Sequence, residues 1–108
     1  MYLSRLTFHT LPGKTQEVEE RLMMLRQWVE QAGGANARVM RTHFGSSGAP
    51  DLVFEQEVTD PGTLENQIRA VSAKDDFQQW AREVSGLLAQ PSKRELYTVR
   101  DGVPGVVT

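Results

Sequence analysis

Apolar and polar residues alternate from Tyr2 to His9, "YLSRLTFH", with Tyr2, Leu6 and Phe8 on one face and Arg5, Thr7 and His9 on the other. A period of two with one apolar side predicts a half-buried strand. Pro12-Gly13 brings turn chemistry that ends it. From about Thr15 the period lengthens. Val18, Leu22, Leu25, Val29 and Ala32 make one apolar stripe at helical spacing, and Glu17, Glu19 and Glu20 lie near the first turn, where the helix dipole favours acids. Gly33-Gly34 supplies the left-handed conformation that ends a helix.

Arg38 to Phe44 and Leu52 to Val58 read as two further strands. The turn residues of "GSSGAPD" between them predict an antiparallel hairpin. Asp60-Pro61, an N-cap followed by proline at the first helical position, opens a short helix with the stripe Leu64, Ile68 and Val71. Ser72-Ala73-Lys74-Asp75 has the capping-box pattern and predicts a separate helix burying Phe77, Trp80, Ala81, Val84 and Leu88. Pro91 stops that helix, and Arg94 to Val99 reads as a fourth strand. The order β-α-β-β-α-α-β predicts an α+β, ferredoxin-like protomer: a four-stranded antiparallel sheet with the helices on one face. Residues 1–100 form the expected single domain. Residues 101–108, "DGVPGVVT", read either as a tail or as an arm reaching over a partner subunit.

Composition narrows the function classes. With 108 residues, one core is all the chain can bury, and 39% apolar content with a formal charge of -2 fits an ordinary globular protein. Lys and Arg are scattered, so no basic patch points to nucleic acid. The absence of cysteine removes disulfides, thiolate metal sites and a cysteine nucleophile. Arg5 interrupts the first apolar run, which therefore reads as neither a signal peptide nor a membrane span; the expected location is cytoplasmic.

Gly13-Lys14-Thr15 looks like the end of a phosphate loop, but that loop needs glycine five residues earlier, where this chain has Phe8. The segment reads as a Pro-Gly turn feeding a helix. The polar strand face is more informative. If every strand keeps its period, Arg41 and His43, Glu55 and Glu57, and Glu95 and Tyr97 share a face with Arg5, Thr7 and His9. Such a face could stay in water, bind a ligand or meet a second copy of itself. Acid-base chemistry would draw on His9, Arg41, His43, Glu55 and Tyr97, whereas an ion-pair lattice is the plainer use of the same groups. His9 and His43 have no metal-ligand spacing, so no metal is expected. Phe8, Met24, Trp28, Phe44, Phe77 and Trp80 are candidates to line an apolar pocket between sheet and helices, although at this spacing they also suit plain core. Met23, off the helical stripe, hints at a contact with another chain.

The first strand running into "LPGK" and a long helix resembles the opening of NIPSNAP-like proteins. "DDFQQWAREVSGLL" followed by "SKRELYTV" is similar to their final helix and strand. The resemblance spans Tyr2 to about Arg100 and implies the dimeric α+β barrel superfamily, in which two protomers bring their sheets face to face. It implies a homodimer that would enclose the polar face, and a ligand pocket between helices and sheet in each protomer. Cofactor-independent monooxygenases related to antibiotic biosynthesis and haem-degrading enzymes occur in the same superfamily. The haem-degrading branch uses an Asn, a Trp and a His where this chain has Leu6, Ala70 and Ala81, so haem degradation is not expected. The resemblance thus implies a NIPSNAP-like homodimer binding a small apolar ligand without a cofactor, and composition adds the expectation of no nucleic-acid or membrane partner. The alternative it leaves is a cofactor-independent monooxygenase or isomerase acting on a small, partly aromatic molecule.

Overall fold

A computed structural model describes residues 1–102. Its elements run β1 (Tyr2–Phe8), α1 (Thr15–Gln31), β2 (Ala35–Arg41), β3 (Leu52–Val58), α2 (Pro61–Ser72), α3 (Phe77–Ser85) and β4 (Lys93–Thr98). The strands form one antiparallel sheet in the order β2-β3-β1-β4. This is the expected ferredoxin-like arrangement, with the second helical segment divided. The expected tail of residues 101–108 lies mostly outside the described residues.

Helix α1 covers the sheet with the stripe that the spacing picked out: Val18, Leu22, Leu25 and Val29 are all buried. They meet Phe8, Leu52 and Phe54 from the sheet and Val71, Trp80 and Val84 from the other helices in one core. Gly33 takes φ +93°, and a Cβ at Gly34 would stand 2.3 Å from the Val29 side chain, so the chain can reverse tightly under the helix only with glycine there. The Pro12-Gly13 turn is held from outside. The Thr10 amide donates to Asp51 at 2.8 Å, and the Thr10 and Thr15 hydroxyls bond at 2.7 Å, so Thr15 serves the turn.

Three expectations about boundaries are corrected. β2 occupies Ala35–Arg41, beginning three residues before the expected Arg38 and ending three residues short of the expected Phe44, with a register irregularity between Ala35 and Arg38. Asn36 at φ 53° lies within this irregular stretch. Ser72 does not cap a new helix. It ends α2, a turn follows, and α3 begins only at Phe77. Leu88, expected on the buried face of that helix, instead forms a bridge with Thr10 beyond the helix end.

Candidate functional site

The sheet presents two faces of different character. On the face away from the helices, one cross-strand row reads Arg38, Glu55, Arg5, Glu95, so positive and negative side chains alternate across all four strands. Glu55 is the centre of this row and is only 2% exposed. Arg5 Nε donates to one of its carboxylate oxygens at 2.6 Å, and Arg38 Nη2 donates to the other at 2.9 Å. Burial pushes the Glu55 carboxyl up; hydrogen bonds and charge from Arg38 and Arg5 outweigh that and hold it below its usual value. Asn36 donates to Glu57 at 2.8 Å in the next row. Tyr97 lies under the Arg5 guanidinium, 5.3 Å from ring centroid to cation, and hydrogen bonding to Glu95 raises its phenol pKa.

The five candidate ionisable groups are thus only partly assembled. Glu55 and Tyr97 share the open face and meet through Arg5. Arg41 does not join them. It pairs with Leu52, whose side chain is in the core, and its Nε donates to Glu19 of α1 at 2.9 Å. An odd offset of three residues puts Arg38 where Arg41 was expected. His43 has left the strand and stacks edge-on against Phe44 in the loop, at 4.6 Å between centroids. His9 sits at the end of β1, bonded to the Gly48 carbonyl and to Gln90, both at 3.0 Å, and so ties three connections together.

The other face encloses a cavity of about 330 Å3 between the sheet and the helices. Its apolar wall includes Leu6, Phe54, Leu25, Val71, Phe77 and Trp80. Trp80 is fixed by donating its indole N–H to the Arg21 carbonyl at 2.8 Å, and its ring packs with those of Phe77 and Trp28 at 5.7 and 5.9 Å. Of the aromatic candidates, Phe77 and Trp80 line the cavity, while Trp28 supports them from behind. Phe8 packs in the core, Met24 faces outward, and Phe44 is 89% exposed in the loop. Met23, singled out as lying off the stripe, is likewise exposed.

Sequence reasoning missed the polar part of this wall: Gln56, Gln67 and Arg94. Gln56 occupies the inward parity of β3 between Phe54 and Val58 and is 3% exposed. Gln67, 7% exposed, takes the buried place on α2 that the stripe assigned to Ile68, which stands instead at the cavity edge. A glutamine at an inward position on both elements was the available signal. None of His9, Arg41, His43, Glu55 and Tyr97 lines the cavity. Among the described residues no group of His, Cys, Asp or Glu is arranged to hold a metal, and no helix is long and apolar enough to cross a membrane.

Solved structures of the same architecture cover nearly the whole chain. A NIPSNAP domain protein from Burkholderia xenovorans superposes with a TM-score of 0.74 at 16% identity, covering 96% of this chain and 99% of that one. This chain shares the ferredoxin-like α+β fold of these NIPSNAP-domain and monooxygenase-like structures. An antibiotic biosynthesis monooxygenase matches with a TM-score of 0.65 at 16% identity, covering 96% of this chain and 100% of the other. SnoaB from Streptomyces nogalater, a cofactor-independent oxygenase, matches with a TM-score of 0.63 at 19% identity, covering 95% and 94%. No family profile and no curated protein matches the sequence. At these identities the NIPSNAP-like likeness concerns architecture and transfers no activity.

Proposed function

We propose that this NIPSNAP-like protein is a cytoplasmic homodimer whose protomers each bind a small molecule with an apolar, partly aromatic body. The observation that carries this reading is the cavity of about 330 Å3, walled by Phe54, Phe77 and Trp80 and open between sheet and helices. That size is within the range of small-molecule sites, and a few polar groups among apolar walls is their usual composition. Binding is preferred to catalysis because the His, Glu, Arg and Tyr groups considered for acid-base work face elsewhere and are largely engaged by other residues. The dimer reading draws support from the alternating charge row on the open sheet face and from the small size of the chain.

Equilibrium dialysis with 2-acetylnaphthalene tests the cavity. Saturable binding of one molecule per chain is expected, and Ala81→Phe, which fills the cavity from α3, should abolish it. Equal binding by the wild type and Ala81→Phe, or failure of the wild type to bind either this ketone or its carboxylate analogue 2-naphthoate, would refute the reading. Sedimentation at micromolar concentration tests the dimer; a monomer at that concentration would exclude it.

A further inference from the structure

The cavity has a polar end, built where β1, β3, β4 and α2 meet. Ser4 of β1 stands opposite Gln56 of β3 in the sheet register and is 2% exposed. From the other side, Arg94 of β4 reaches it, donating from Nη1 to Ser4 Oγ at 2.6 Å. Gln56 donates to Gln67 of α2 at 2.5 Å. An amide pair joined by one such bond keeps one carbonyl oxygen and one NH2 group for other partners, whichever way the two amides are turned. Among the described residues no buried side-chain nitrogen or oxygen is orphaned, and both glutamines line the cavity, so these remaining groups reach the open space.

Arg94 differs from the arginines of the opposite face. Arg5 and Arg38 both hold Glu55, whereas among the described residues no carboxylate lies within ion-pair distance of Arg94. As a residue it is exposed because β4 is an edge strand, but its guanidinium is withdrawn from water enough that desolvation lowers its pKa. A guanidinium can make five hydrogen bonds and is not neutralised at any ordinary pH. A partly desolvated guanidinium with no anion beside it gains from binding one, to the extent that it is shielded from water.

We infer that the polar end of the cavity is a recognition site for a monocarboxylate, with Arg94 pairing with the carboxylate and the Gln56–Gln67 amides taking its second side. The inference rests on the cavity reading proposed above. A planar carboxylate matches the fork of a guanidinium, and the amide NH2 of the pair offers the additional donor. A phosphate is disfavoured: the cavity wall includes one cation, Arg94, and no glycine-rich loop. The substrate class is therefore an organic acid with a compact apolar or aromatic body lying against Phe54, Phe77 and Trp80. Arg94 is the specificity residue.

Two probes of almost the same shape separate this from the broader reading: 2-naphthoate and the neutral ketone 2-acetylnaphthalene, each measured by equilibrium dialysis against the full chain near neutral pH. The acid should bind at least tenfold more tightly than the ketone. Arg94→Leu should bring the two within about twofold by weakening the acid alone, and unchanged ketone binding by that variant shows that it has folded. Arg94→Lys should keep part of the preference, and Gln67→Met should reduce it by a smaller factor. If acid and ketone bind the wild type equally, or if Arg94→Leu keeps the preference, the carboxylate assignment is overturned while the cavity reading stands. If neither probe binds, the cavity reading fails and takes the assignment with it.

Discussion

The two faces of this sheet treat charge in opposite ways. On the open face Arg38, Glu55 and Arg5 satisfy one another, and the buried Glu55 carboxylate is held from both sides. On the helix-covered face the Arg94 guanidinium has, among the described residues, only the Ser4 hydroxyl, and two glutamines share a single hydrogen bond. A closed network of this kind is a structural device, since every group has its partner before anything binds. Leftover donors and acceptors beside an apolar cavity are what a ligand site requires. Functional polarity in this protein is therefore better sought where pairing is incomplete than where charges are most numerous.

The largest effect should come from opening the closed network. The double variant Arg5→Leu, Arg38→Leu leaves Glu55 buried without a cation. Denaturant unfolding should show a loss of about 3 kcal/mol, the lower end for a broken buried pair because both arginines are partly exposed. Each single change should cost about 1 kcal/mol, since the remaining arginine still holds the carboxylate. The double loss should therefore exceed the sum of the singles. Strict additivity would show that the two arginines do not act on one group.

The same network sets an acid dependence. The folded-state pKa of Glu55 lies below the usual value of 4.5, so its contribution is present above that pH. It is lost as the pH falls from about 4.5 through the lower folded-state value. Unfolding midpoints between pH 3 and 6 should show this loss in the wild type. The double variant should show a weaker or reversed dependence, because burial without the arginines raises the carboxyl. An unchanged acid profile in that variant would assign the loss to other carboxylates.

Effects on the ligand-facing side should be milder for stability. Ser4→Ala removes the Ser4 hydroxyl that accepts from the Arg94 guanidinium and should cost about 1 kcal/mol in unfolding experiments. A cost of about 3 kcal/mol would mean that Arg94 depends on Ser4 as Glu55 depends on its arginines, and the contrast between the faces would disappear. The smallest effect belongs to Arg41→Ala. Its pair with Glu19 is partly exposed, and the change should stay within about 0.5 kcal/mol.

Much of the architecture was legible because it rests on local periodicity. The period-two alternation of β1, the stripe from Val18 to Val29 and the Asp60-Pro61 helix start each depend on residues within a few positions of one another. They all form: Asp60 accepts from the Thr63 amide at 2.9 Å, as an N-cap should. Ser72 shows where such reading stops. It has the capping-box spacing, yet it continues α2. The cavity was less legible, since Phe77 and Trp80 could be named as candidates, while Phe8 and Phe44, equally aromatic, lie in the core and in solvent.

What the sequence determined by itself was the number, kind and order of the elements, and the parity of residues within each strand. Only the tertiary structure decided how those parities align between strands. A single irregularity between Ala35 and Arg38 sends Arg38 to the Glu55 network and Arg41 to α1, because one residue of slip moves every side chain of a strand to the other face. The same long-range pairing brings Gln56 and Arg94 to one cavity, with Ser4, 90 positions away in the chain, bonded to Arg94. No local pattern records that meeting, because it follows from the strand order β2-β3-β1-β4 and from α2 closing over it.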